Sequence, residues 1–416
     1  MLPASFRLNE PSVSLPAGAV SRTVACRPVT GSTFGPQSVI DVDLPAAMWL
    51  EGSTLSFRYK ASYTAGAAIS NIIGVPLYAP FQRLQITQAG SVLDSIGNYA
   101  QVGQLITTLR LGVSEKVGRM NQYGYEQIAG FDYVDGRTVA AGTTEVFYVS
   151  GPLPCVLTHG KKNIPLFAAD PIRLTFSLAS LTDMSWGVGA TAQFTAMSIF
   201  NFEVVATCYD LGRDVERATL AQGPLFLKTA SFNASSLPVP AGFVGSQSFY
   251  FNQRYSSVRA AFALPCSLVA SKSCEFTDLT SGSGEYSFQL NGAQYPPLPL
   301  SSVLNNSGIL TECLKAAQAI YPEARLCINQ TEYAATINTP STVYYEPGKY
   351  IPSLSFLRCA ESDAALLSGV SSRDTGVNVV VNTSTATTAA ANLGLVLCYD
   401  AMLVIDPLTR KMSVRS

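Results

Sequence analysis

The feature that most constrains this chain is a period-two hydrophobic rhythm that returns from one end to the other. Leu55, Phe57, Tyr59, Ala61 and Tyr63 alternate with Ser56, Arg58, Lys60 and Ser62. Side chains along a strand point to opposite faces, so this pattern specifies a strand with one face in a core and one in water. Residues 39–44, 145–149, 172–178 and 200–209 read as further strands. Leu84-Gln85-Ile86-Thr87 passes through Ala89-Gly90-Ser91 into Val92-Leu93, which predicts a hairpin. Helical spacing follows it over 99–111, with Val102, Leu105, Ile106 and Leu109 on one side.

The second half repeats this grammar. Strands are predicted at 249–251, 258–264, 377–381, 393–399 and 402–405. Tyr286, Phe288 and Leu290 alternate and end at Asn291-Gly292, a hairpin-turn signal. Residues 309–321 form the best helix, with a predicted stripe of Leu310, Leu314, Ala317 and Tyr321 and with Glu312 and Lys315 off it. Each half also closes on an apolar run that enters the same tripeptide, Cys208-Tyr209-Asp210 and Cys398-Tyr399-Asp400. The same order of elements twice suggests duplication. At 416 residues the chain suits two domains, expected at 1–222 and 223–416, with a linker within 212–240 where Arg213-Asp214-Val215-Glu216-Arg217 is followed by Pro and Ser. Two sandwiches of this size are large for immunoglobulin-like domains of ~100 residues. Jelly rolls with long loops and inserted helices fit better.

Charged residues make up only 13% of the chain, about half the usual ~25%. Interface cores are depleted in Lys, Glu and Asp, so a surface covered by copies of the same chain has this balance; a β-protein rich in polar turns has it too. Net charge is −1, and residues 1–16 hold only Arg7 and Glu10 as charges. Neither the whole nor that stretch reads as a nucleic-acid binder. The first residues do not resemble a signal peptide and no run is long and apolar enough to span a bilayer, so assembly in cytosol or nucleus is expected. Nine cysteines, with no Cys-x-x-Cys pair, read mostly as small buried apolar groups, with a disulfide left open. Sequons at Asn233, Asn305, Asn329 and Asn382 read as chance in a Ser/Thr-rich chain.

Catalytic chemistry finds little support. The single histidine, His159, lies in Leu157-Thr158-His159-Gly160-Lys161-Lys162 and reads as a solvated turn residue. No Gly-x-Ser-x-Gly elbow or Walker A loop is present, and Ser281-Gly282-Ser283-Gly284-Glu285 reads as a hairpin loop. Asp41 and Asp43 share a strand face and read as a solvated edge. We assign no catalytic, cofactor-binding or metal-binding residues, no cofactor, and no enzyme activity.

Several stretches, in order, resemble the double jelly-roll major capsid proteins of DNA viruses, the group that includes nucleocytoplasmic large DNA viruses, virophages and Polinton-like viruses. Asn163-Ile164-Pro165-Leu166-Phe167-Ala168, followed by 172–176, is similar to the family's Leu-Pro-Leu segment leading into a strand. Cys208-Tyr209-Asp210-Leu211, then Glu216-Arg217, resembles the run that ends the first jelly roll. Residues 251–259 resemble the element opening the second, and 286–295, with Asn291-Gly292 and Tyr295-Pro296, a strand and turn of the smaller members. Ala218 stands where a second basic residue is expected, Tyr255 where a proline is, and the large insertions are missing, which favours a small, divergent member. The resemblance implies an all-β fold of two tandem jelly rolls with short helical inserts. It also implies a homotrimer acting as a pseudo-hexameric capsomer of an icosahedral virion, penton and minor capsid proteins as partners, and room for an internal membrane. Contact regions are then expected in the loops 64–76, 118–144 and 331–350. The alternatives are a tandem-sandwich carbohydrate-binding or adhesion protein, which would favour a signal peptide or Trp platforms beyond Trp49 and Trp186, and a single-shell capsid protein of a small RNA or single-stranded DNA virus, which would favour a basic arm.

Overall fold

The computed structural model describes residues 19–66, 71–74, 76–110, 119–125, 136–187, 194–267, 276, 279–280, 284–301, 306–322, 324, 350–358, 368–387 and 391–416. In the first half, one antiparallel sheet has the order Val39–Asp43, Ile172–Leu178, Phe81–Gln88, Ser91–Gly97. A second sheet is built on the long strand Phe194–Asp210. Ser56–Ala65 and then Thr144–Pro152 lie on one side of it, and Val20–Cys26 pairs with its other edge. The alternating residues do what their period dictates: Phe57, Tyr59, Ala61 and Tyr63 are buried between the sheets, as are Ile40, Val42, Leu84, Ile86, Leu174 and Phe176. Phe57, Phe81, Phe176 and Phe202 form one ring cluster, the Phe57–Phe81 and Phe176–Phe202 pairs meeting edge-to-face at 5.4 and 5.1 Å.

The second half repeats the central part of this topology. Gly245–Phe251, Val377–Thr383, Gly284–Leu290 and Ala293–Ser301 form a sheet with the same order, first, last, then hairpin. Opposite it, the long strand Ala391–Asp406 pairs with Val258–Ser267 on one side and with Leu225–Val239 on the other. In each half the hairpin leads into a helix, Tyr99–Arg110 or Asn306–Ile320. Among the described residues no strand of one half pairs with a strand of the other. Both halves are antiparallel sandwiches with a shared strand order, so the fold is all-β with two tandem jelly rolls and short helical inserts.

Three expectations need correction. The buried stripe of the Asn306–Ile320 helix is Ile309, Cys313, Ala316, Ala317 and Ile320, one position away from Leu310 and Leu314, which are half-buried. The helix packs against two cores at once, with Ile309 in that of the second sandwich and Cys313, Ala316, Ala317 and Ile320 in the core continuous with the first. The expected linker shrinks to the helix Arg213–Leu220 and residues 221–224, because Leu225–Val239 is paired along its whole length. Its Thr229, Ser231 and Asn233 resemble loop residues, yet their polar atoms are satisfied by Val156, Asp94 and Tyr255. The loops 64–76 and 118–144 contain the strands Asn71–Gly74 and Gly136–Val139, two members of a small three-stranded sheet with Ser185–Gly187. Residues 331–349 and Ser281–Ser283 lie outside the described residues, as do Cys274, Cys327 and Cys359. Cys155, Cys208, Cys266, Cys313 and Cys398 are buried as expected, and Cys26 is half-buried.

Candidate functional site

The outer face of the second half's long-strand sheet is not left to solvent. Along Ala391–Asp406, Leu393, Leu395 and Leu397 enter the core of the second sandwich, while Val396 and Cys398 join a core continuous with the first. Ala260, Phe262 and Leu264 on the neighbouring strand do the same from their side. A strand buried on both faces needs a near-continuous apolar run, which is why Leu395-Val396-Leu397-Cys398 lacks the alternation of Phe57–Tyr63.

Polar groups bolt this seam at separate places. Gln88 donates from Nε2 to the carbonyls of Asp170 and Arg410 at 3.1 and 3.0 Å, and its Oε1 accepts from Met412 N. The hairpin of the last two strands is thereby fixed to the first sandwich. Asp94 accepts from the Ser231 hydroxyl at 2.6 Å, from Val156 N at 2.9 Å and from Ser95 N at 2.9 Å. Burial raises its pKa to about 6 despite those three donors. His159 binds the Tyr321 hydroxyl through Nε2 and the Cys155 carbonyl through Nδ1, both at 3.1 Å, with Phe232 edge-on at 5.1 Å. The histidine is therefore no solvated turn residue but a half-buried joint between the halves. Its partners in the second half, Tyr321 and Phe232, lie 162 and 73 positions away in the chain, and local sequence carries no signal of them.

The two Cys-Tyr-Asp copies occupy different rungs. Cys208 lies beyond Val205, the last residue paired with Ser56–Ala65, and Asp210 caps the strand end by accepting from Gly212 N at 3.0 Å. Cys398 is still paired with Ala260, and its strand runs on to Asp406. Asp400 is buried and accepts from the hydroxyls of Ser257 and Ser368 and from Ser368 N, with Arg259 at 3.7 Å. Asp210 therefore caps a strand end, and Asp400 is a buried hydrogen-bond hub within its strand. Tyr399 stacks on Tyr255 at 3.8 Å, whereas Tyr209 donates to Glu51 at 2.7 Å.

Among the described residues, part of one sheet face of the first sandwich is exposed. Tyr148 is 62% and Val146 46% exposed, and the Lys60 ammonium sits 5.0 Å from the Tyr148 ring and 5.2 Å from Phe200. Beside them a depression of about 690 Å³ contains Glu203 between Arg58 at 2.7 Å and Arg27 at 3.1 Å. Arg58 above all holds the Glu203 carboxyl below its usual range. A carboxylate neutralised by two guanidiniums is a poor proton acceptor, so this depression suits surface contact rather than acid–base chemistry. Asp43 pairs with Arg173 at 2.7 Å and Asp41 accepts from Thr175 on an outer face, as expected of a strand edge. Among the described residues no group of three or more His, Cys, Asp or Glu is placed to hold a metal ion, and no helix is long and apolar enough to cross a membrane. Leu298 and Leu408 stand out at 82% and 89% exposure, the latter in the turn of the last hairpin.

No family model matches the sequence and no curated protein matches it. Solved structures do. The class defined by the fold is the double jelly roll. The chain superposes on the Faustovirus major capsid protein with a TM-score of 0.62 at 10% identity, covering 96% of this chain and 93% of that one. The mavirus major capsid protein gives 0.53 at 11% identity, with 99% and 93% covered. A chain of the Sputnik virophage gives 0.57 at 13% identity, with 100% and 92% covered.

Proposed function

We propose that this chain is a structural subunit of a virus shell, a major capsid protein without enzymatic activity that resides in the virion. The observation carrying this reading is that the two-sandwich architecture matches capsid proteins over nearly the full length of both chains. Two jelly rolls per chain, divided near residue 222, place six similar sandwiches in a trimer, a pseudo-hexagonal tile for an icosahedral lattice. The fused seam makes each chain a rigid building block, and the exposed Tyr148–Val146 face and loop tips are surfaces for contacts between copies. Penton and minor capsid proteins would complete such a shell, with room for an internal membrane beneath it. Light scattering on the purified protein tests this: a mass three times the 44.2 kDa chain, or assembled shells by electron microscopy, is the expected result. A monomer at all concentrations that binds glycans would replace it with the adhesion reading.

A further inference from the structure

Pro296-Pro297-Leu298-Pro299 form a bulge in Ala293–Ser301, the outer strand of its sheet. That strand pairs with Gly284–Leu290 from Leu290↔Ala293 to Phe288↔Tyr295 and again from Tyr286↔Leu300, so the four residues stand opposite Ser287 alone. Pro297 and Leu298 are both exposed, Leu298 at 82%, while Pro296 and Pro299 are half-buried. Two exposed residues in succession break the period of a strand and match the three-residue turn of polyproline II. Covalent chemistry dictates the same shape. Each proline fixes its own φ at about −65°, and a residue before proline is confined to extended or polyproline II backbone, which here covers Tyr295, Pro296 and Leu298. We propose that this ridge is a docking segment for a domain of the WW type, whose aromatic groove takes proline-rich polyproline II chains.

Backbone chemistry, charge and anchoring select that occupant. A partner that adds a strand needs N–H donors along the edge, and among these four residues only Leu298 has one. What the ridge offers instead is apolar ring and leucine surface with carbonyl acceptors, which a groove of aromatic rings carrying their own donors fits. Its flanks are neutral, with no charged residue between Glu285 and Glu312 in the sequence. That suits an uncharged aromatic groove and not an SH3 groove, whose acidic pocket takes a flanking Arg or Lys. The segment is also held at both ends. Tyr295 meets the Phe356 ring edge-on at 5.6 Å, Gln294 donates to the Pro297 carbonyl at 3.4 Å, and Leu300 lies in the core of the second sandwich. The ridge has its shape before a partner arrives, so docking orders little further chain.

The test is a nuclear magnetic resonance titration. An isotope-labelled WW domain of the class that reads Pro-Pro-Leu-Pro is titrated with the unlabelled full-length protein. We expect saturable shifts or broadening at the aromatic residues of its groove. Leu298→Gln and Pro297→Ala should each weaken binding about tenfold or more. Leu408→Gln, at a leucine that is 89% exposed elsewhere on the surface, should leave it unchanged. Both ridge positions are exposed, so these variants should keep the wild-type melting temperature. No perturbation at the highest concentration the protein reaches, equal binding by wild type and both ridge variants, or tighter binding to an SH3 domain overturns the proposal. Loss of self-association in Leu298→Gln, with no binding of the WW domain by the wild type, overturns it too and gives the ridge to contacts between copies. The titration needs no shell, so its result is separate from the capsid reading.

Discussion

Asp94 shows how much of the structure depends on single side chains that the sequence does not flag. Its carboxylate joins a strand of the first sandwich, the 155–159 loop and a strand of the second. Asp94→Ala leaves the Val156 and Ser95 N–H groups and the Ser231 hydroxyl without their acceptor, and each buried orphan costs about 1–3 kcal/mol. We predict a loss of about 3 kcal/mol or more in denaturant unfolding at pH 7. The pH dependence has the opposite sign to that of most paired carboxylates. An acid raised from 3.8 to about 6 by burial favours the folded state while protonated. That contribution is complete below pH 3.8 and is lost as pH rises to about 6. Asp94→Asn should remove a slope of about 3 kcal/mol across this window, and an unchanged slope in the variant would refute the assignment.

Elements were legible where a face was simple. The Tyr99–Arg110 helix appears with Val102, Leu105, Ile106 and Leu109 buried, as its spacing predicts. The hairpin before it turns at Ala89 and Gly90, which take φ of 46° and 82°. The Asn306–Ile320 helix was placed but its stripe was misassigned, because Ile309/Cys313 and Leu310/Leu314 are both apolar pairs at helical spacing and only the packing chooses between them. Gly103 gives the sharpest test at this scale. Alanine in a helix interior normally gains about 1 kcal/mol over glycine, but a Cβ here would lie 2.1 Å from the Tyr78 ring. Gly103→Ala should therefore destabilise the protein, by about 1–3 kcal/mol, and a higher melting temperature would mean that Tyr78 is free to move.

At the scale of the whole molecule, the continuous core through Phe232, Phe262, Leu264, Val396 and Cys398 makes the two sandwiches one unit. We predict a single calorimetric transition for the full chain, and aggregation of residues 223–416 expressed alone, because they would expose this apolar face. A soluble, cooperatively unfolding fragment would contradict the prediction. The sequence by itself determined the strand-rich class, the repeated order of elements and the hairpin-then-helix grammar, since period-two alternation and turn chemistry are local. It also pointed to Cys-Tyr-Asp as an echo of duplication, and the two copies do lie on topologically equivalent strands. Only the tertiary structure decided that one copy ends its strand while the other lies in its middle, that Leu225–Val239 is a strand, and that His159 is a joint. In each case the deciding partner comes from a distant part of the chain, and whether a polar residue meets water or a hydrogen-bonding partner is settled only when the two sandwiches close on each other.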